Sequence, residues 1–376
     1  MMLRKKIGGV WLLCALLIVQ PSCGSEKGDT ARKNETDVLE LIYSVADELD
    51  MKVICDIDLR GGDLYRKKSV AELTAKSDRY IEEYHKKYGN HDSFWGWYLN
   101  NEINPIENDD LEQSAYWRTI WKSIVDKCHQ VAPQSKVTIS PFFLLDKQSL
   151  RGFKYLEPKE YEEWWYHTMK DAGIDILMLQ DSGAEHLSFF TIEDRRPFFE
   201  AFANACRKAG KEFWLNVETG QVVARDWAHA LQMEKDFQRA WAFTEIDWLK
   251  QKLELAAEYG TGIVNWGYYP LMNPMEEHSS LTIQNIDGQE VDLSKRKANY
   301  EAYQAYLEMV PEDPGAGKLT RPKLNGTLWF LPSGIEEKDL KDVVRQEIMN
   351  QKALGFEFLW ICNTPDHFDA TAVGGN

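Results

Sequence analysis

The sequence predicts an α/β protein built as a (β/α)8 TIM barrel, on three observations. Short, nearly continuous apolar runs alternate with longer segments whose apolar residues recur at helical spacing, the pattern of a parallel sheet covered by helices. Carboxylates and amides gather at the C-terminal ends of those runs, at Asp58, Asn101, Glu102, Gln180, Asp181 and Glu218, the end of a barrel where active sites lie. No glycine-rich phosphate loop follows any run, which argues against a doubly wound sheet.

Taken in order, residues 1–23 read as an export signal. Arg4, Lys5 and Lys6 precede an apolar run from Ile7 to Val19 that is too short for a membrane span. The run ends at Pro21-Ser22-Cys23-Gly24, where a small residue before cysteine resembles the bacterial lipoprotein processing site. That resemblance implies a lipid on Cys23 and an outer-membrane or periplasmic protein, with plain secretion as the alternative. Residues 24–37 form a polar linker, and residues 38–310 the first run of the barrel. A helix from Val38 to Leu49 leads into a strand from Met51 to Leu59. The unit then repeats: helices around Val70 to Tyr88, Leu111 to Val131, Glu160 to Ala172, Pro197 to Ala209 and Ile246 to Tyr259. They precede strands ending at Glu102, Phe143, Asp181, Glu218 and Tyr269. Gly89, Gly173, Gly210 and Gly260 sit just after helices, where a C-terminal cap is expected.

Six strands are two short of a closed barrel. After a helix from Lys295 to Met309 and a Pro- and Gly-rich linker (residues 311–325), a strand, a helix and a strand follow from Gly326 to Cys362. Residues 326–376 are therefore expected to supply strands one and two of a circularly permuted barrel whose third strand lies near Val53. The rival is an incomplete barrel followed by a truncated second one. Closure is favoured because an open six-strand sheet leaves two long apolar edges.

Composition narrows the ligand. The formal net charge of −16 disfavours nucleic acid and anionic polymers, which would be repelled. Fourteen tryptophans suit the flat faces of sugar rings, although most tryptophans are core. Trp164, Trp165 and Tyr166 fall on a helix and are expected in the core. Cys55, Cys128, Cys206 and Cys362 are scattered and read as small core residues. Asp56 and Asp58 share a strand face, but with no histidine at metal spacing no metal or other cofactor is expected. His186 and His278 fall in loops on the C-terminal face.

The most informative stretch is Phe94-Trp95-Gly96-Trp97-Tyr98-Leu99-Asn100-Asn101-Glu102-Ile103-Asn104, an aromatic strand that stops on two amides and a carboxylate. Strand alternation puts Tyr98, Asn100 and Glu102 on one face and Trp97, Leu99 and Asn101 on the other. Glu218 ends the strand three βα units later, and Trp266 falls in the next strand. This arrangement resembles the superfamily of retaining glycoside hydrolases built on the TIM barrel. The resemblance implies that Glu102 is the acid/base on strand four, Glu218 the nucleophile on strand seven, and Trp266 an aromatic floor. A closer resemblance is to a bacterial family of uncharacterised, glycosidase-like TIM-barrel lipoproteins. It is carried by Gly96 to Ile103, Ser140-Pro141-Phe142-Phe143, Leu179-Gln180-Asp181-Ser182-Gly183, Trp214 to Thr219 and Tyr268 to Pro274. That family opens on a Gly-Thr strand, which here stands near the end, at Gly326-Thr327.

Two carboxyl groups about 5 to 5.5 Å apart perform retention, and roughly 6.5 to 9.5 Å inversion. Glu102 needs a raised pKa, which burial against Trp97, Tyr98 or Trp266 and the charge of Glu218 would supply. Glu218 needs hydrogen-bond donors such as Asn216 or Tyr268, and Asn101 is placed to bind a sugar 2-hydroxyl. Asn100, Gln180 and Asp181 complete the expected carbohydrate contacts. The sequence therefore predicts an exported glycoside hydrolase-like protein, or a glycan-binding lipoprotein that keeps the cleft without the chemistry.

Overall fold

The computed structural model of the protein describes residues 36–57, 59, 69–101, 103, 105–181, 188–236, 241–275, 284–286, 289–290, 294–329, 335–362 and 364–372. Its strands are β1 (Lys52–Asp56), β2 (Phe94–Leu99), β3 (Lys136–Ile139), β4 (Ile176–Gln180), β5 (Glu212–Val217), β6 (Gly220–Val222), β7 (Trp241–Phe243), β8 (Gly262–Asn265), β9 (Gln284–Ile286), β10 (Gln289–Glu290), β11 (Gly326–Trp329) and β12 (Phe358–Ile361). The helices are α1 (Val38–Glu48), α2 (Val70–Tyr88), α3 (Leu111–Val131), α4 (Pro158–Ala172), α5 (Ile192–Ala209), α6 (Trp227–Lys235), α7 (Ile246–Tyr259), α8 (Tyr268–Met272), α9 (Arg296–Met309), α10 (Glu337–Ala353) and α11 (Thr364–Ala372).

Eight of the strands close into a parallel barrel in the order β1-β12-β11-β8-β5-β4-β3-β2, while β6-β7 and β9-β10 are small antiparallel ribbons. The C-terminal segment fills the gap within one chain: Val53 pairs with Leu359 on one side, and Gly326 with Val264 on the other. The expectation of an incomplete barrel with a truncated second one is overturned by these two pairings. Closure removes both edges of the eight-strand sheet. The helix layer closes with it: α1 lies against α10, with Thr36 Oγ1 2.6 Å from Glu337 Oε1 and Arg345 2.6 Å from Glu48.

Alternation along the strands divides the apolar residues into two cores. The larger lies between strands and helices and includes Trp97, Leu99, Trp121, Trp164, Trp165 and Phe202. Trp164 and Trp165 are core, as their place on a helix predicts. The smaller fills the bore with Ile54, Tyr98, Ile176, Met178, Trp214, Val264, Leu328, Phe358, Trp360 and Cys362. The four cysteines Cys55, Cys128, Cys206 and Cys362 are buried and free.

Several element boundaries differ from expectation, among them the ends of β1 and β3, expected at Leu59 and Phe143 and found at Asp56 and Ile139. Helix α5 starts at Ile192, five residues before Pro197, because Thr191 and Asp194 form a capping box that fixes the start upstream. The strand expected to run to Tyr269 ends at Asn265, and the chain re-enters a helix at Tyr268. Gly173 and Gly210 adopt the left-handed conformation of a C-terminal cap, but Gly89 and Gly260 do not.

Candidate active site

The bore is sealed from below and polar above. At the N-terminal end Trp95 stacks on Trp214 at 5.8 Å, and the Lys52 ammonium sits over the rings of Trp95 and Phe358. Above them Tyr98 meets Trp360 edge-on at 4.7 Å. These bulky rings fill the lower bore, below the C-terminal mouth where active sites of this fold lie.

There the inward positions turn polar: Asp56, Asn100, Ser140, Gln180 and Asn216, from five successive strands or their ends. Asn100 Nδ2 donates to Asp56 Oδ2 at 3.2 Å, and Gln180 Nε2 to the Ser140 carbonyl at 3.0 Å. Asn216 Nδ2 donates to Ser140 Oγ at 3.0 Å. Ser140 directly follows β3 and Asn216 belongs to β5, strands that are not neighbours, so that bond passes over β4 inside the bore. The result is a hydrogen-bonded polar floor above the aromatic layer. Trp266, half-buried just past β8, packs against the bore core at the same end.

Glu218 stands one residue past β5 and is 2% exposed. Its N–H donates to Asp181 Oδ1 at 2.7 Å. Two cations share this region. Lys252 of α7 lies 3.3 Å from both Asp181 carboxylate oxygens and donates to the Glu218 carbonyl. Arg195 of α5 donates to the carbonyl oxygen of Asp181. Burial pushes the ammonium of Lys252 and the guanidinium of Arg195 below their ordinary pKa values, and the Asp181 and Glu218 carboxylates oppose that shift in both. Four buried groups thus balance two negative charges against two positive ones. Carboxylates and cations desolvated together beside a polar pocket are a pattern of functional sites.

Several residues expected at the mouth lie elsewhere. Trp97 points away from the bore, fully buried, its Nε1 donating to Ser135 Oγ at 3.1 Å. Asn101 also points outward, 1% exposed, and its Oδ1 accepts the indole N–H of Trp121 at 2.8 Å. Both follow from the alternation that turns Tyr98 and Asn100 inward. Tyr98 is in the bore but below the floor, 3% exposed. Tyr268 opens α8 instead of continuing β8, so strand alternation no longer directs it inward. It lies in the outer core, its ring 6.1 Å from that of Phe356. Asp181 is 1% exposed, and Lys252 and the Glu218 N–H engage its carboxylate. Asn216 is in the floor, with its amide nitrogen directed to Ser140 instead of Glu218. Glu102, Asp58, His186, His278 and Cys23 lie outside the described residues.

Sequence reasoning missed Lys252 and Arg195. The signal was present: Lys252 falls on the stripe of Leu249, Leu253 and Ala256, and Arg195 on that of Phe198, Phe199 and Phe202. A charge on the buried face of a helix needs a buried partner.

A small pocket between the loops after β2 and β3 and helix α4 is lined by Ile103, Pro105, Ile106, Phe142, Leu156, Tyr161, Trp164 and Trp165.

Among solved structures, the chain is similar to a protein from Bacteroides thetaiotaomicron provisionally named an alpha-L-fucosidase, at 17% identity and a TM-score of 0.54 over 73% of each chain. It is also similar, at a TM-score of 0.43 and 10% identity, to a protein from Burkholderia cenocepacia provisionally named a phosphonomutase, over 88% of this chain and 96% of that one. An intracellular xylanase from Thermoanaerobacterium saccharolyticum aligns at 13% identity and a TM-score of 0.32, over 60% of this chain and 67% of its own. At such identities the first of these likenesses speaks for the barrel fold and for nothing finer. Among curated proteins none matches the chain. A family model described as a domain of unknown function, DUF4434, matches residues 14–278, and the chain belongs to that family.

Proposed function

We propose that the protein is an exported glycoside hydrolase that cleaves an O-glycosidic bond in a neutral or weakly basic glycan, with Glu218 as nucleophile and Glu102 as acid/base. The observation that carries the reading is the position of Glu218. It is a buried carboxylate just past the end of β5, next in alternation to the inward Asn216 of the polar floor and close enough to Arg195 to oppose the downward shift of that guanidinium. In the sequence Glu102 follows Asn100 and Asn101, which come just after β2, and β2 stands three strands around the ring from β5. In a retaining reaction Glu218 attacks the anomeric carbon while Glu102 protonates the leaving oxygen, and Glu102 then deprotonates the water that releases the sugar. Trp266 offers a face for a sugar ring, and Asn100, Gln180 and Asn216 offer amides at the floor. A net charge of −16 suits a substrate without anionic groups. In the same reading the ring is circularly permuted, with β2 and β5 in the places of strands four and seven, and Cys23 carries a lipid anchor.

The test is a panel of neutral glycans and 4-nitrophenyl glycosides. Wild type should release sugar with retained anomeric configuration, and Glu218→Gln should lose at least about 10³-fold in kcat while melting normally. Turnover that survives the substitution would sink the assignment. Binding of a glycan without cleavage by wild type would point to a glycan-binding lipoprotein instead.

A further inference from the structure

One pair of charges beside Glu218 is not used by the reaction just described. Asp181 follows β4, and its N–H donates to the Asn216 carbonyl at 3.2 Å, so the β4–β5 ladder runs one residue beyond the strand. Gln180 and Asn216 face the bore on that ladder, which turns Asp181 to the outer side of the wall. From there its carboxylate accepts the Glu218 N–H at 2.7 Å. Lys252 comes in from α7, reaches both oxygens of the same carboxylate at 3.3 Å, and donates to the Glu218 carbonyl. The two side chains are 2% and 4% exposed. A single ion pair therefore holds both the N–H and the C=O of one residue.

That residue needs holding. The last β5–β8 rung is Val217 with Asn265, so Glu218 lies one residue beyond that ladder. As a device for stability the pair is a poor choice. Removing two charges from water costs about what their attraction returns, and apolar side chains of the same volume would dock α7 as well. What apolar side chains cannot do is bond a peptide group on both sides.

We infer that Asp181 and Lys252 are positioning residues, an ion pair outside the barrel wall that fixes the Glu218 peptide and so the direction in which the Glu218 carboxylate enters the bore. Arg195 braces the pair by bonding the carbonyl of Asp181, and is itself tied to the Phe190 and Thr191 carbonyls. The inference rests on the reading of Glu218 as the reacting carboxylate.

The test uses the full chain and the variant Asp181→Val/Lys252→Met, which removes both charges together and leaves neither unpaired. It should melt near wild type, whereas amide hydrogen exchange in the peptide containing Glu218 should speed up about tenfold or more. On whichever 4-nitrophenyl glycoside wild type cleaves, kcat should fall about 100-fold with KM little changed, as expected for a misaimed group. Lys252→Arg, which keeps the charge and the donors, should recover most of the loss. A folded double variant with wild-type exchange and kcat overturns the inference, and so does a double variant that fails to fold, because the pair would then serve the fold. If wild type cleaves no aryl glycoside, the hydrolase reading fails by itself, and the exchange measurement still decides the clamp.

Discussion

At the scale of single residues, the site depends on close approaches as much as on charges. A Cβ on Gly267 would lie 1.3 Å from Thr219 Oγ1 and 2.6 Å from Thr219 Cβ. Thr219 follows Glu218, and Gly267 follows Trp266, so this contact sets the spacing between the proposed nucleophile and the proposed aromatic floor. Gly267→Ala should force Thr219 out of place at a cost of about 1–3 kcal/mol, read by urea unfolding, with a larger loss in catalysis than in stability. Wild-type stability in this variant would show that the two loops can part freely. Residue-level roles were partly legible in the sequence. Alternation correctly put Tyr98 and Asn100 on one face and Trp97 and Asn101 on the other, yet all four were expected to touch sugar. The missing information was which face is the bore, and that depends on neighbouring strands. Asp181 was unreadable for a related reason: its partner Lys252 is 71 residues away, and nothing local signals the pairing.

Among the elements, α10 holds a buried acid. Glu347 is 1% exposed and accepts the amide of Asn273, in the segment after α8, at 2.9 Å. Burial raises its pKa from the ordinary 4.5 to about 7, against the opposing pull of Asn273 and Arg296. A carboxyl with a raised folded-state pKa binds more protons folded than unfolded between those two values. Its contribution to stability is therefore full below about pH 4.5 and is lost as pH rises through about 7. Melting followed from pH 5 to 8 should show a decline on the order of 2–3 kcal/mol from this group, and Glu347→Gln should remove that component. An identical pH profile in the variant would refute the assignment. Helices were the most legible elements because their signals are local: α2, α3 and α7 have the expected bounds. Helix α8 was not, because the aromatic run Trp266 to Tyr269 reads as strand and only the packing of Tyr268 in the outer core makes it helical.

For the whole molecule, the closed ring was legible as a count: six strands in sequence and two more after the linker. Which strands meet was settled by the pairings of β12 with β1 and β11 with β8. Helices run antiparallel to the strands in this fold, so the start of α1 lies at the mouth side, where Thr36 bonds Glu337 at the start of α10. A lipid on Cys23, through the linker of residues 24–37, would tether the molecule from its mouth rim. Cys23→Ala should then move the protein from the membrane fraction to the soluble one on cell fractionation, and unchanged membrane association would exclude the anchor.

The closure also fixes a sequence of events. Lys52 pairs with Phe358, so the strand that seals the sheet is made some three hundred residues after the one it seals against. Strands β1 to β8 precede β11 and β12 in synthesis, and a sheet formed from the first six barrel strands alone would leave β1 and β8 with bare backbone. The two borders can meet only once β11 and β12 have been made.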